Sequence, residues 1–319
     1  MPEKKLSQDI PNGELREKPT PWWRWLITLI ALALFIFVIS QQGWEEFFQT
    51  LKNASLEYVL AGLALLFVSR LMVAGRWYKL LCISPSKVKY LDVLKLTYAG
   101  LFATNFLPTS IGGDLVRFIG MTRWGMDSAL VLASLIVDRL VGLSGMAVML
   151  PGGIYLLTHP IGELVSSLPL SLAGVAAQDS WLKKLSKKIK QFTRKTISDL
   201  LIWLKHPREL LLSYFFTFLH MVCLFGMLWF FLRAVNENIP LWVVASIYSL
   251  SYLATLIPLS IGGLGIQEMS ITYLYSTFGG VSMQAALALA VFTRMTFVVN
   301  SLPGVIFLPS LLRGKQDHR

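Results

Sequence analysis

Two long hydrophobic runs of this chain are interrupted by the same six-residue pattern, Pro-x-Ser-x-Gly-Gly. The first copy spans residues 108–113 and the second spans residues 258–263. Proline lacks the N–H that a helix interior needs, and glycine weakens a helix, so each copy predicts a helix break. Broken backbone at membrane depth is tolerated only where protein buries it or where it lines a wet cavity. The two copies therefore predict two Pro/Gly-broken, re-entrant hairpins inside a membrane.

The composition excludes an ordinary soluble globular protein. The chain has 319 residues, is 55% hydrophobic and 15% charged, and has a mean hydropathy of +0.59. Apolar stretches of about 18 to 25 residues, enough to cross a hydrocarbon core, recur along nearly the whole length. We predict an all-α polytopic membrane protein with about seven or eight transmembrane helices. No stretch remains for a soluble catalytic domain, so we expect no catalytic residues and no metal or other cofactor.

The distribution of polar and charged residues divides the chain into a membrane domain and two polar ends. Residues 1–20 are polar and contain three prolines, which predicts a disordered cytosolic tail. Residues 21–312 are predicted to form a single transmembrane domain whose first span runs from about Trp25 to Ser40, and residues 313–319 a second tail. Because both ends are basic, the positive-inside rule places both termini in the cytosol and the protein in a cell (inner) membrane.

Residues 181–208 are the most basic segment of the chain, with nine Lys or Arg against one acid. Leu182, Leu185, Ile189 and Phe192 recur at helical spacing, which predicts an amphipathic helix on an anionic inner leaflet. A solvated charged loop is the alternative, and both place the segment in the cytosol. The net charge of +11 lies mostly in segments that flank apolar runs, so it favours lipid headgroups rather than nucleic acid.

The two breaks belong to a longer internal repeat. Leu150-Pro-Gly-Gly-Ile-Tyr155 resembles Leu302-Pro-Gly-Val-Ile-Phe307, and each break is followed by charged residues and a further arginine. We predict two structural repeats at about residues 90–157 and 240–309, an arrangement in which transporters place a binding site near the membrane midplane. The pattern leaves open whether residues 128–177 cross once, twice or three times.

Six charged residues lie within or beside the apolar runs of these repeats. A charge at bilayer depth costs at least ~2.5 to 3.5 kcal/mol, so each needs a partner or a water-filled cavity. Asp138 and Arg139 are adjacent and point ~100° apart on a helix, so we predict that Asp138 pairs across the repeat interface with Arg294. The six residues are Asp114, Arg117, Asp138, Arg139, Glu268 and Arg294.

These charges have a structural and a functional interpretation. They could be buried ion pairs that only fix helix packing. Alternatively, the arginines hold a phosphate, for which the guanidinium fork is suited, and N–H groups freed at the helix starts bind the same anion. The predicted substrate-binding residues are Asp114, Arg117, Asp138, Arg139, Glu268, Arg294, Gly112, Gly113, Gly262 and Gly263.

Three further residues receive simpler interpretations. Arg70, late in the second apolar run, is expected to snorkel to the inner interface, and Arg76 is expected to belong to the basic flank that follows. His220 is alone in an apolar run, which favours a hydrogen-bonded core histidine over a proton relay. The two cysteines show no metal-ligand spacing.

Three motifs together resemble a known family. At residues 112–117 (Gly-Gly-Asp-Leu-Val-Arg), at Asp138-Arg139 and at residues 258–268, the chain is similar to the lysylphosphatidylglycerol synthase transmembrane-domain, or flippase-like, family. The resemblance covers about residues 20–312. It implies the membrane part without the soluble synthase domain of larger relatives, and it matches Asp114, Arg117, Asp138, Arg139 and Glu268 to motif positions. Gln267 stands where many members carry a basic residue.

The resemblance and the residues support one main hypothesis and two alternatives. The main hypothesis is a lipid transporter that binds an anionic (glyco)phospholipid or polyprenyl-phosphate headgroup between the repeats. The alternatives are a membrane-embedded transferase acting on a lipid-linked sugar, and a non-transporting partner of a lipid-modifying enzyme in lipid-linked sugar or aminoacyl-phospholipid synthesis. The expected partners are membrane lipids, with no nucleic acid.

Overall fold

The computed structural model shows an all-helical chain. It describes residues 44–84, 88–106, 112–159, 205–256 and 264–312, with Trp203 and isolated positions before residue 44. Within these ranges there are helices and connecting turns but no strand. The predicted first span, both tails, most of residues 161–208 and the greater part of both Pro-x-Ser-x-Gly-Gly copies lie outside the described residues. The predicted all-α fold is confirmed.

The helices of the described residues are named here in chain order. The bounds are α1 (Trp44–Lys52), α2 (Leu56–Leu81), α3 (Tyr90–Phe106), α4 (Gly112–Arg123), α5 (Ser128–Ala147), α6 (Leu150–Thr158), α7 (Pro207–Ala234), α8 (Leu241–Leu256), α9 (Ile266–Phe278), α10 (Met283–Ser301) and α11 (Pro303–Leu312).

Four stretches are long and apolar enough to cross a membrane. They are α2, α5, α7 and the run Met283–Phe307, which joins α10 to the first part of α11. Helix α8 is a shorter apolar helix. The chain is therefore a multi-pass membrane protein, while the predicted total of seven or eight crossings stays a prediction. Residues 128–157 form two helices, α5 and α6, separated by a turn at Val148 and Met149.

Helices α2 and α7 lie antiparallel and make the most extensive helix contact in the described chain. At one end the Ser55 N–H donates to the Ala234 carbonyl at 2.9 Å. At the other end Trp203 Nε1 donates to the Leu80 carbonyl at 3.3 Å. Glycine permits the close approach, since a Cβ on Gly62 would overlap a ring of α7. This pair is the axis against which the other helices pack.

Helices α3 and α4 form the first hairpin. Gly100 and Gly113 let the two helices touch, because a Cβ on either would meet the backbone oxygen of the other. The chain then turns at Gly125, whose φ is +87°, and Asp127 caps α5 by accepting from the Leu130 N–H at 2.8 Å. Helix α4 begins at Gly112, so the charged residues that follow the first Pro-x-Ser-x-Gly-Gly copy lie in a regular helix packed against protein, while residues 107–111 lie outside the described residues.

Helices α8 and α9 form the second hairpin. Gly265, with a φ of +79°, leads into α9. The Tyr275 hydroxyl of α9 donates to the Val244 carbonyl of α8 at 2.8 Å and fixes the pair together. Ser282 then caps α10 by accepting from the Ala285 N–H at 3.4 Å.

The two hairpins pack at opposite ends of the central pair. The first apolar core joins the C-terminal part of α2 to the first hairpin and contains Trp77, Leu96 and Met121. The second core joins the C-terminal part of α7 to the second hairpin and contains Phe231 and Tyr275. Since α2 and α7 are antiparallel, these C-terminal parts lie at opposite ends.

The two halves of the fold exchange their last helices. The first half ends with α6 and the second half ends with α11. Helix α6 packs on α8 of the second half, and α11 packs on α3 of the first half. Both contacts depend on glycine: Gly153 lies against Leu250, and Gly304 lies against the Tyr98 carbonyl and Phe102. These glycines belong to the matching Pro-Gly segments seen in the sequence.

Candidate functional site

A cavity of about 460 Å³ lies at the centre of the described chain, between the two hairpins and the α2–α7 pair. Its wall takes residues from α2, α3, α4, α5, α7, α8, α9 and α10. Apolar side chains cover part of it, among them Leu143 and Leu224. Its most unusual residues are four arginines, namely Arg70, Arg76, Arg117 and Arg139.

Asp138 is the buried centre of an ion-pair network on this wall. Its carboxylate is 2% exposed and accepts from Arg76 Nε at 2.7 Å and from Arg117 Nη2 at 3.2 Å. The predicted pairing of Asp138 with Arg294 is wrong. The sequence assigned Arg76 to a basic flank, but α2 continues to Leu81 and keeps Arg76 inside the protein, 8% exposed.

Asp114 extends the network to the start of α4. It accepts from Arg139 Nε at 2.5 Å and from Arg117 Nη1 at 3.3 Å. Arg117 therefore links the two aspartates, and the Arg139 side chain, 55% exposed, forms the outer end of the series. The series contains three arginines and two aspartates, so it carries one positive charge in excess.

Neighbouring side chains fix the arginines in place. The Arg117 guanidinium lies 4.0 Å from the centre of the Trp77 ring, and its stem lies against Gly100. Gly142 leaves room for Arg76, because a Cβ there would come within 2.8 Å of Arg76 Nη1. Small residues at these positions thus allow guanidinium groups to lie between packed helices.

Glu268 and Arg294 form a separate pair in the second half. The Arg294 Nε donates to the Glu268 carboxylate, whose other oxygen accepts from the Gly265 N–H at 2.8 Å. Neither residue lines the cavity, although their neighbours Gln267 and Phe297 do. The pair matches Asp114 and Arg139 in position: each acid lies in the first turn after a break, and its arginine follows 25 or 26 residues later.

The sequence did not identify Arg70 as a site residue. It was expected to snorkel to the interface, but its guanidinium lies in the cavity wall, 5.2 Å from the centre of the Phe297 ring. Helix α2 continues to Leu81, about three turns beyond Arg70, so this residue lies well inside the helix. An arginine so far from the end of a span does not reach the interface easily.

The predicted glycines and the histidine have local roles in this structure. Gly112 and Gly113 are buried at the start of α4, where Gly113 packs against Gly100 of α3. Gly262 and Gly263 lie outside the described residues. His220 Nδ1 is 2.6 Å from Ser69 Oγ, which confirms a hydrogen-bonded core histidine, and it also contributes to the cavity wall. In the described ranges no group of three or more His, Cys, Asp or Glu could hold a metal ion.

Fold and site define a multi-pass α-helical membrane protein with a buried arginine-rich cavity. The chain belongs to the family described as the lysylphosphatidylglycerol synthase TM region, whose model matches residues 24–304. Membership confirms the resemblance noted in the sequence and relates the protein to membrane lipid synthesis or transport. A search of curated proteins found no match.

Proposed function

We propose that this protein is a lipid transporter that takes an anionic headgroup into the central cavity and moves it between leaflets. The observation that carries the proposal is the excess of arginine over acid on the wall of a cavity inside a membrane protein. Buried charges need compensation, and a phosphate brought in from the membrane supplies it. Guanidinium groups match phosphate geometry and replace the water that the headgroup loses.

The dimensions of the cavity fit a headgroup. A volume of about 460 Å³ lies in the usual range of small-molecule sites, which is about 300 to 1,000 Å³. Apolar side chains such as Leu143, Met146 and Leu224 share the wall with the arginines. A (glyco)phospholipid or a polyprenyl phosphate has the same two parts, a polar head and an apolar tail.

We infer that the two predicted repeats are inverted relative to each other, which supports a transport geometry for the cavity. Residues 90–157 and 240–309 each contribute a broken hairpin, a long helix and a short last helix, and the hairpins pack at opposite ends of the α2–α7 pair. Repeats of opposite orientation around a central site are the basis of alternating access. Each half exposes the headgroup to one side in turn.

The proposal is tested by filling the cavity without changing a charge. Leu143→Trp places an indole in the cavity, and Leu132→Trp is the matched control because Leu132 lies on the same helix with 53% of its surface exposed. Purified variants are reconstituted into vesicles that contain fluorescent phosphatidylglycerol, and dithionite bleaching measures movement between leaflets. We expect wild type and Leu132→Trp to accelerate movement and Leu143→Trp to approach the protein-free rate. Equal rates in all three would contradict transport through this cavity.

The family description favours one second candidate. It names a synthase of a modified phospholipid, which supports a non-transporting partner of a lipid-modifying enzyme. For such a partner, vesicles with wild type and without protein would show the same rate. Substitutions on the surface of the protein would then weaken its association with the enzyme and leave lipid movement unchanged.

A further inference from the structure

The central cavity contains one arginine without a carboxylate partner among the described residues. Arg76, Arg117 and Arg139 each donate to Asp138 or Asp114, whereas the contact of Arg70 is the Phe297 ring. The segments 107–111 and 257–263, which lie outside the described residues, contain no acidic residue in the sequence. No acid from these segments can neutralise Arg70.

Among the described residues the charge excess of the site is therefore two. Four arginines lie on the cavity wall, and two aspartates compensate them. The Glu268–Arg294 pair is neutral as a unit and lies off the wall. A ligand with a single negative charge leaves one guanidinium of the site uncompensated, which is costly inside a membrane. A ligand with two negative charges compensates both.

Hydrogen-bonding capacity leads to the same conclusion. Arg70 Nε and Arg117 Nε are buried, and neither has an acceptor in the described part of the chain. Buried donors are normally paired, so two donors at one cavity call for an acceptor with several oxygens. A terminal phosphate has three such oxygens, more than a phosphodiester can direct to one side.

We propose that the cavity is specific for a headgroup with two negative charges, a phosphomonoester or a diphosphate, and that Arg70 is the residue that binds its additional charge. This inference rests on the proposed function only in assuming that the cavity binds a lipid headgroup. The three paired arginines already share their charge with carboxylates, so they contribute less charge to a ligand than Arg70 does. Arg70 is held against Phe297 in the cavity wall, and it has no carboxylate partner among the described residues.

The test compares two short-chain lipids that differ in the second charge. Dioctanoyl phosphatidic acid and dioctanoyl phosphatidylglycerol have the same acyl chains, so partition into detergent micelles affects both alike. Binding to the purified full-length chain is measured by calorimetry at pH ~8, where a phosphomonoester has lost its second proton. We expect phosphatidic acid to bind about tenfold more tightly or better, since one further charge-assisted contact has about that effect.

Variants of Arg70 assign the preference to this residue. Arg70→Gln should abolish the difference between the two lipids, while Arg70→Lys, which keeps the charge, should retain most of it. Arg233→Gln is the matched control: Arg233 also lies over an aromatic ring, 4.7 Å from the centre of Trp229, and also has an unpartnered buried Nε, but it is outside the cavity. The control should leave the preference unchanged.

Two results would overturn the inference. Equal affinity of wild type for the two lipids would show that the second charge is not recognised, and this comparison requires no variant. A preference that persists in Arg70→Gln would assign it to other residues. The binding test and the transport test can give different answers. Preferred binding of phosphatidic acid without lipid movement between leaflets would support this inference and refute the proposed transport. Rapid movement of phosphatidylglycerol without a binding preference would support the transport and refute this inference.

Discussion

Asp138 is the residue on which the buried charges of the first half depend. Its two oxygens serve different helices, since Arg76 comes from α2 and Arg117 from α4. A carboxylate that accepts from two guanidinium groups also fixes the distance between their helices. The aspartate therefore acts as a rigid link between the central pair and the first hairpin.

Removing the charge of Asp138 should destabilise the protein. Asp138→Asn keeps the shape but leaves Arg76 and Arg117 without their shared counter-charge, a loss of about 3 to 5 kcal/mol for a buried pair. Thermal unfolding of the detergent-solubilised protein measures the effect. The control is Asp127→Asn, at an exposed cap where asparagine performs as well as aspartate.

Double variants identify the partners. Asp138→Asn with Arg76→Gln should recover part of the lost stability, because one uncompensated cation is removed. Asp138→Asn with Arg294→Gln should show only the sum of two separate losses, since Arg294 belongs to Glu268. Recovery with Arg294→Gln and none with Arg76→Gln would contradict the ion pairs described here.

At this scale the sequence predicted the charged residues of α4, α5, α9 and α10 as site residues, but it missed Arg70 and Arg76 and did not give the pairing. Helical geometry correctly indicated that Asp138 and Arg139 face different ways, and Asp138 is 2% exposed while the Arg139 side chain is 55% exposed. The pairing failed because it depends on how far α2 extends. Apolar periodicity does not give the end of a helix, so Arg76 and Arg70 were assigned to an interface that they do not reach.

Among the elements, short helices that meet through glycine hold the two halves together. The Pro-Gly segments start α6 and lie at the start of α11, where the ring of proline is tolerated in the first turn. The following glycines then allow backbone contact with α8 and α3. Proline and glycine in the sequence predicted these bends, whereas the exchange of last helices between halves is a tertiary arrangement that no local pattern encodes.

A methyl group at Gly304 should loosen the contact of α11 with α3. Its Cβ would overlap the Tyr98 carbonyl, and a backbone atom cannot rotate away, so Gly304→Ala should cost about 1 to 3 kcal/mol. The control is Gly226→Ala in α7, where the nearest atom is the flexible tip of Leu65 at 3.0 Å. Thermal unfolding and monodisperse elution compare the two. Equal stability would mean that α11 is not packed as described.

For the whole molecule, the antiparallel pair of α2 and α7 determines which ends of these helices lie on the same side of the membrane. The end of α2 and the start of α7 lie together, as the contact of Trp203 with Leu80 shows, while Ser55 and Ala234 share the other end. If the basic segment 181–208 is cytosolic, as we propose, the Leu81 end of α2 is cytosolic too. The connection at residues 53–55 then faces away from the cytosol.

Thiol labelling tests this orientation. Single cysteines at Asn53 and Arg208, both exposed, are introduced into a Cys82→Ser/Cys223→Ser background. In intact cells a membrane-impermeant maleimide should label Asn53→Cys and spare Arg208→Cys, and permeabilised cells should show labelling of both. The reverse pattern would invert the proposed topology, and labelling of both in intact cells would place the two positions on the same outer side.

The exchange of helices also sets the order in which contacts can form during synthesis. Helix α3 is synthesised about 200 residues before α11, the neighbour that covers Tyr98 and Phe102. Until then the first hairpin, with its buried charges, has one face open to lipid. A nascent chain that has not yet reached Pro303 therefore carries an uncovered face on its first hairpin, and this face closes only when α11 packs against α3.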